Sequence, residues 1–390
     1  MVFKNTPSPF LKVCVIIPVK NEEEIIIQTL DALRNQKDAS GLPLNTQLYE
    51  VLILANNCSD KTYSLIKDYQ NAYPRFPLLV EEIIFPKGKA NIGTARRFLM
   101  DIAHHRFSYL KKPDGIIAST DGDTQVDEYW VSKIIAEMKK GCDVLGGKIL
   151  SNLENCPARI YHLRDIRYQN LIAKIESIID PQPHNPWPSH FQCFGANFSI
   201  TCYMYALAGR LPQIPFLEDV AFVKALELKD AKIRKSPYVK VYTSARRLGR
   251  VEKGFSQQLA WFESLESEKQ EHLVECAESI ISRIKIRKLL RNYWINCKLN
   301  EIQTLFTTEL QMPFKEEDLQ QWFIESVYFG EFFSKAQADL IKGNWYNQWK
   351  LVTIKKALKD LRIEISKIAE QRFHKTEVET LQYSKNGSSG

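Results

Sequence analysis

Short apolar runs rich in β-branched residues recur through the first half of the chain, each followed by a helical repeat. This alternation limits the fold more than any other feature. Residues 12–19, KVCVIIPV, read as a strand buried on both faces. Asn21 is expected to cap a helix whose first turn holds Glu22, Glu23 and Glu24, with Ile25, Ile26, Leu30 and Leu33 at helical spacing. The unit then repeats. Strands are expected at 49–56, 78–85, 115–120 and 143–149, with helices near 91–106 and 127–139. Strands alternating with helices predict an α/β fold built on a mainly parallel sheet flanked by helices.

In such sheets ligands bind beyond the carboxyl ends of the strands. Polar clusters fall at three of those ends: Lys20 to Glu24, Asn56 to Asp60, and Asp121 to Asp123. From 150 to 180 the pattern is helical, and 181–190 is a stiff proline-rich loop. Residues 191–200 read as strand and turn, helices are expected at 202–209 and 215–228, and a last strand at 239–247. Beyond 250 clear strands give way to amphipathic helices at 256–269, 271–299, 316–339 and 346–372. The expected division is a catalytic domain over 1–250, a helical region over 251–380 and a disordered tail over 381–390.

Length and composition narrow the function. A chain of 390 residues exceeds one ordinary core. Its formal charge of +7 is diffuse, which suits a nucleotide phosphate or lipid headgroups and argues against nucleic acid. The eight cysteines form no CxxC pair, so reduced, buried thiols are expected rather than a zinc site. No run of 18 apolar residues occurs, and the first residues lack the apolar core of a signal peptide. The expected location is cytoplasmic. The basic aromatic stretch 283–299 reads either as a helix on a membrane's inner face or as one packed on the catalytic domain with its Lys and Arg in water.

Asp121 and Asp123 flank a glycine, so both carboxylates can face one cation if the chain bends there. Oxygen ligands suit Mg²⁺ or Mn²⁺, which share their sites with phosphate oxygens. The same residues could equally close a strand as a polar turn. Glu218 and Asp219 open a helix, either as dipole-complementing acids or as a general base near an acceptor hydroxyl. Lys89, Arg96, Arg97, Arg246, Arg247 and Arg250 read as surface charge or as a phosphate grip. His184 and His190 lie in the proline-rich loop without metal-ligand spacing.

In order along the chain, VIIPVKNEEE, ILANNCSDKT, KGKANIGTARRFLMDIA, STDGDTQV, FGANFSI, FLEDVAF and VYTSARRLGR resemble the family 2 glycosyltransferases of GT-A fold, over about residues 12–250. The resemblance implies an inverting, metal-dependent transfer of one sugar from a nucleotide-diphospho-sugar to an acceptor hydroxyl on a small molecule or lipid. It implies Mn²⁺ or Mg²⁺ as cofactor, with Asp123 as main ligand and Asp121 on the metal-bound diphosphate or ribose. Asp219 would be the base and Glu218 its neighbour. Pro18, Lys20, Glu22, Asn57 and Asp60 would surround the nucleoside, Lys89 and Arg96 would face base or diphosphate, and Arg246 and Arg247 would add to the donor site. Asn56-Asn57 stands where many members carry two aspartates, so a UDP-sugar is the default and a GDP-sugar stays open. The closing segment lacks the QxxRW pattern of processive synthases. Two alternatives remain: a nucleotidyltransferase, which the glycine-free PVKNEEE turn disfavours, and a non-catalytic nucleotide-sugar-binding protein.

Overall fold

The computed structural model describes residues 3, 5–151, 153, 156–243, 254–299 and 313–386, with side chains to residue 370. The first elements are β1 (Val13–Val19), α1 (Ile26–Arg34), β2 (Tyr49–Asn56), α2 (Thr62–Ala72), β3 (Leu78–Ile83), α3 (Ile92–Tyr109) and β4 (Ile116–Ser119). Next come β5 (Thr124–Val126), α4 (Trp130–Met138), β6 (Val144–Ser151), α5 (Arg159–Ile179), β7 (Phe198–Thr201), α6 (Cys202–Leu207), α7 (Glu218–Glu227) and β8 (Ile233–Thr243). The remainder holds α8 (Phe255–Ser267), β9 (Leu273–Val274), α9 (Ala277–Lys298), α10 (Glu316–Ile324), α11 (Phe329–Lys342), β10 (Val352–Thr353) and α12 (Ile354–Asn386).

Among the described residues the main sheet has eight strands in the order β3-β2-β1-β4-β7-β6-β8-β5. The pairs β3–β2, β2–β1, β1–β4 and β6–β8 are parallel; β7 runs antiparallel to β4 and β6, and β5 to β8. The expected fold class is therefore present. β1 shows why: Val13, Val15, Ile17 and Val19 enter one core and Cys14 and Ile16 the other. The first core takes Ile26 and Leu30 of α1 and Trp130 and Ile134 of α4, the second Leu99 and Ala103 of α3 and Phe222 of α7. A strand covered on both faces needs a continuous apolar run, which is what the sequence displays.

The chain separates into two compact units. One comprises Met1–Cys156, Pro183–Trp261 and Tyr328–Glu331; the other comprises Pro157–Gln182, Phe262–Val327 and Phe332–Gly390. Thus α5, early in the chain, is grouped with the C-terminal helices. Within that second unit Ile175 and Ile179 of α5 share a core with Ile280 and Ile284 of α9 and Leu358 and Leu361 of α12. Arg287 and Arg291 of α9 reach Asp180 at 2.9 and 3.3 Å. The basic stretch 283–299 therefore buries Ile284, Ile286, Leu290, Tyr293 and Trp294 and holds two arginines on Asp180, while Ile295 and Leu299 stay exposed at its end.

Several local expectations are corrected. Asn21 does not cap α1, which starts at Ile26. Asn21 sits in a left-handed turn (φ 55°), and its Oδ1 accepts the Ser59 amide at 2.8 Å. The amides of Glu22 and Glu23 donate to Thr62 Oγ1 and Asp60 Oδ2 at 2.7 and 3.2 Å, so the turn before α2, not Asn21, satisfies them. β5, β9 and β10 were not foreseen, because strands of two or three residues display no period-2 pattern. α12 runs to Asn386, across the first part of the expected tail. No disulfide joins any of the eight cysteines. Among the described residues no helix is long and apolar enough to cross a membrane.

Candidate active site

The central position of β4, between β1 and β7, delivers Thr120, Asp121, Gly122 and Asp123 to the carboxyl edge of the sheet. Gly122 has to be glycine: a Cβ there would lie 2.7 Å from Val19 Cγ1 and 3.2 Å from Glu22 Cγ. The exit of β1 thus packs against the bend between the two aspartates. Thr29 of α1 fixes that bend by donating to the Gly122 carbonyl at 2.9 Å.

Arg96 is the centre of the site. It lies on the buried stripe of α3 with Leu99, Met100 and Ala103, and is 5% exposed. Its Nη2 donates to Asp121 Oδ1 at 2.5 Å, and its Nη1 donates to Glu218 Oε1. One guanidinium therefore ties the end of β4 to the start of α7. Two carboxylates take the fork of Arg96, expected from the sequence to face base or diphosphate, as a buried charge requires. Glu218, 3% exposed, is correspondingly the counter-ion of Arg96 rather than a second open base.

Gly195 completes the arrangement. A Cβ on it would fall 2.5 Å from Arg96 Nη1, and its N–H donates to Asp219 Oδ2 at 2.8 Å. The other Asp219 oxygen accepts its neighbour Val220's amide at 2.8 Å. Each oxygen keeps lone-pair capacity for a further proton donor. Asp219 is half-buried, with exposed Phe194, Leu217 and Val220 close to it or to Gly195 along the chain. Leu217 adopts a left-handed conformation (φ 57°) just before α7, a strained geometry for a branched residue, and this turn sets the directions of Glu218 and Asp219.

The other expected site residues divide by placement. Pro18 is buried inside β1, and Lys20 is exposed just beyond it. Glu22 is 6% exposed beside Gly122. Asn57 (φ 50°) braces the ends of β2 and β3: its Nδ2 donates to the Phe85 carbonyl and its Oδ1 accepts the Phe85 amide, both at 3.0 Å. Asp60 accepts from Thr62 N and Oγ1 at 3.0 and 2.6 Å; partial burial opposes its ionisation, and these bonds outweigh that and lower its pKa. Asn57 and Asp60 thus shape the turn. Lys89 is exposed in the approach to α3. Arg246, Arg247 and Arg250 lie outside the described residues.

Two elements escaped the sequence reading. Asn197, 1% exposed, accepts from Trp130 Nε1 at 2.9 Å and donates to the carbonyls of Lys148 and Val239 at 3.1 and 3.2 Å. It fills the irregularity between Gly147 and Lys148 in the β6–β8 ladder, and nothing in its sequence neighbourhood signals that role. The proline-rich loop is pinned rather than free. Arg234 donates to the Pro186 and Pro188 carbonyls at 2.6 and 3.0 Å, and His190 Nδ1 accepts the Gln192 amide at 3.0 Å. His190 Nε2 therefore carries the proton and donates to the Ser236 carbonyl at 3.0 Å. Burial pushes His190 down to about 4. It is a neutral structural pin.

Electrostatically the site is acidic around one cation. Burial first, then Asp123 and Glu218, raise Asp121 to about 6 against the pull of Arg96. Burial disfavours the Arg96 charge, but Asp121, Glu218 and Asp219 together raise its pKa. Several buried polar atoms have no hydrogen-bond partner among the described residues: Arg96 Nε, Asn56 Oδ1 at the end of β2, and the Ser119 and Thr120 hydroxyls at the end of β4. Such atoms are uncommon, and those of Asn56, Ser119 and Thr120 lie where strands leave the core toward the site. Among the described residues no three His, Cys, Asp or Glu side chains group closely enough to hold a metal alone.

The glycosyltransferase AglE of Haloferax volcanii is 26% identical over 145 residues, covering 35% of this chain and 39% of that protein, so the chain spans about two fifths of that relative's length. Staphylococcus aureus TarS 1–349 with UDP-GlcNAc superposes at a TM-score of 0.46 with 15% identity, over 92% of both chains. The mannosyltransferase PcManGT of Pyrobaculum calidifontis, with GDP-Man and Mn²⁺, does so at 0.41 with 13% identity, over 87% of this chain and 90% of that one. Residues 14–200, which run from β1 through the two aspartates and Arg96 to β7, match the family described as Glycosyl transferase family 2.

Proposed function

We propose that the chain is an inverting, metal-dependent glycosyltransferase that moves one sugar from a nucleotide-diphospho-sugar to an acceptor hydroxyl. The observation that carries this reading is the Asp121–Arg96–Glu218 tie, with Gly195 N–H on Asp219. It gathers a donor-side pair of carboxylates and an acceptor-side carboxylate around one buried cation. A structural turn at β4 and an ordinary helix start at α7 would each be stable without the other and would need no such link.

Asp219 is the general base. Backbone amides orient it, and it stands at the solvent edge, where an acceptor hydroxyl can reach it. It accepts that hydroxyl's proton as the oxygen attacks the anomeric carbon from the face opposite the leaving nucleotide diphosphate. Glu218 remains on Arg96 and takes no proton. Phe194, Leu217 and Val220 give the approach to Asp219 an apolar wall, which suits an acceptor with an apolar part.

Asp123 and Asp121 fit a divalent cation by their chemistry. Both offer carboxylate oxygens, and only one Asp121 oxygen is recorded on Arg96. The donor's phosphate oxygens would complete the set, as Mg²⁺ and Mn²⁺ sites commonly require. Such a cation, when bound, neutralises charge on the departing diphosphate. The nucleoside would lie over the β1 and β2 exits, near Lys20 and Glu22, with a UDP-sugar first and a GDP-sugar second. Pro18, Asn57 and Asp60 would shape its floor, and Arg246 and Arg247 would add to the donor site.

The test is Asp219→Asn. Transfer should fall by at least about a thousandfold while nucleotide binding, read by calorimetry with Mn²⁺, stays within about twofold. Equal loss of binding and turnover would mean that Asp219 is only a structural support.

A further inference from the structure

The second unit carries an apolar surface that the transfer site does not use. After α11 the chain turns through Asn344 (φ 55°), makes a short 3₁₀ turn over Trp345–Gln348, and extends into β10. The rings of Trp345 and Trp349 pack edge to face at 4.5 Å, with Tyr346 edge-on to Trp345 at 5.0 Å. At the two ends of this cluster Ile341 is 66% exposed and Leu351 is 63% exposed. β10 sets Thr353 opposite Leu273, so strand alternation carried back from Thr353 brings Leu351 to Leu273's side; Leu273 is 53% exposed. Single exposed aliphatic residues are ordinary, but a group of them beside an aromatic cluster marks an interaction surface.

Charge identifies the occupant. Residues 340–359 hold five lysines and neither aspartate nor glutamate. Lys342 and Lys350 flank the aromatic cluster, both are exposed, and neither makes an ion pair among the described residues. Lys355 and Lys356, further on, are matched by Glu271 and Asp360 at 3.8 and 2.6 Å. Unmatched cations beside indole rings and bare aliphatic tips fit the phosphate, interfacial and acyl layers of a bilayer in turn. A glycan would need an open aromatic face with polar partners. Here the rings pack against one another, and the most exposed side chains are aliphatic.

We propose that the 341–351 segment, with Leu273, docks the second unit on an anionic lipid surface. Ile341, Leu351 and Leu273 enter the acyl boundary, the tryptophans sit at headgroup depth, and Lys342 and Lys350 meet lipid phosphates. This differs from the sequence expectation in place, since α9 is occupied within the unit.

The experiment is co-sedimentation of the full chain with vesicles of phosphatidylcholine alone or with about a third phosphatidylglycerol. The chain should bind only the anionic vesicles, and raised salt should release it. Ile341→Ser with Leu351→Ser should lower the partition coefficient on the order of a hundredfold. Lys342→Gln with Lys350→Gln should lower it about thirtyfold. All four sites are exposed, so both variants should melt with the parent, and a melt that drops is answered by repeating the test with Leu273→Ser. Equal binding to neutral and anionic vesicles, no binding to either, or anionic binding that both variants retain would each overturn the proposal. Self-association that the serine variant abolishes, without vesicle binding, would overturn it in favour of a second copy of the chain. Retention of the parent on a polysaccharide matrix, again without vesicle binding, would overturn it in favour of a glycan.

Discussion

Replacing Arg96 with methionine keeps most of the buried stem and removes only the fork. Glu218, 3% exposed, then holds a charge without its partner, while Asp121 is about one-third exposed and can turn to water. Breaking a buried pair from one side costs about 3–5 kcal/mol, nearly all of it here from Glu218. In a cooperative unit of this size that is a melting shift of about 10 °C. Adding Glu218→Gln should then recover about 2 kcal/mol, because a neutral amide loses only its hydrogen bond. Thermal unfolding of the two single variants and the double variant gives the cycle. Activity should separate from stability: Arg96→Met/Glu218→Gln should regain about half of the lost melting temperature yet stay at least about a hundredfold down in kcat, since nothing then ties Asp121 to the acceptor side. Arg96→Lys should be intermediate, because one ammonium cannot fork across two carboxylates. If Arg96→Met melts within about 2 °C of the parent, or Glu218→Gln makes it worse, the tie carries no stability and the reasoning fails.

Asp123→Ala should weaken nucleotide binding in the presence of Mn²⁺ at least about tenfold and leave metal-free binding unchanged; calorimetry showing equal losses would remove the metal assignment. Gly195→Ala should cost about 1–3 kcal/mol, since the new Cβ meets a guanidinium held on two sides, and should lower kcat by more than the melting shift explains. His190 stays neutral in the fold down to about 4, below its ordinary 6.5, so the unfolded chain binds the proton first and stability is lost as pH falls through that window. The loss should reach about 3 kcal/mol by pH 4, and His190→Gln should flatten that part of a stability–pH curve by about one proton.

What could be read from the residues differs by element for physical reasons. β1 and β2 announced themselves because burial on both faces forces nearly every position to be apolar; in β2 only Glu50, paired with Arg106, and Asn56 depart from this. The two aspartates could be placed at a central strand's end because the run Gly115 to Ala118 reaches them through only Ser119 and Thr120. Arg96 read as surface charge or a phosphate grip, although it shares helical spacing with Leu99, Met100 and Ala103, which the fold turns into the buried stripe of α3. Its partners lie 25 and 122 residues away, and no local pattern names them. Asn197 gave no signal, because its three bonds go to a side chain and two carbonyls brought there by α4, β6 and β8. The helix start at Asn21 misled because an asparagine before glutamates satisfies the local rule for a cap, while Thr62 and Asp60, forty residues on, satisfied the amides first.

The charge arithmetic of the site explains why it needs a buried arginine at all. Asp121, Asp123, Glu218 and Asp219 are mutually close enough to act on Arg96 or on each other. Four carboxylates without a cation would repel one another, and at least one would take up a proton near neutral pH. Arg96 prevents this at the innermost position, where water cannot. The remaining negative charge then faces outward, through Asp123 and Asp219, onto the solvent side. A divalent cation with its diphosphate can offset the first, and an approaching hydroxyl can give its proton to the second. Replacing Arg96 therefore perturbs both halves together, whereas Asp123→Ala should perturb the donor half alone and Asp219→Asn the acceptor half alone. Measuring nucleotide affinity and turnover on all three variants separates a shared scaffold from two independent sites. If Arg96→Lys lowered turnover without touching nucleotide affinity, the guanidinium would belong to the acceptor half only, and its bond to Asp121 would be incidental.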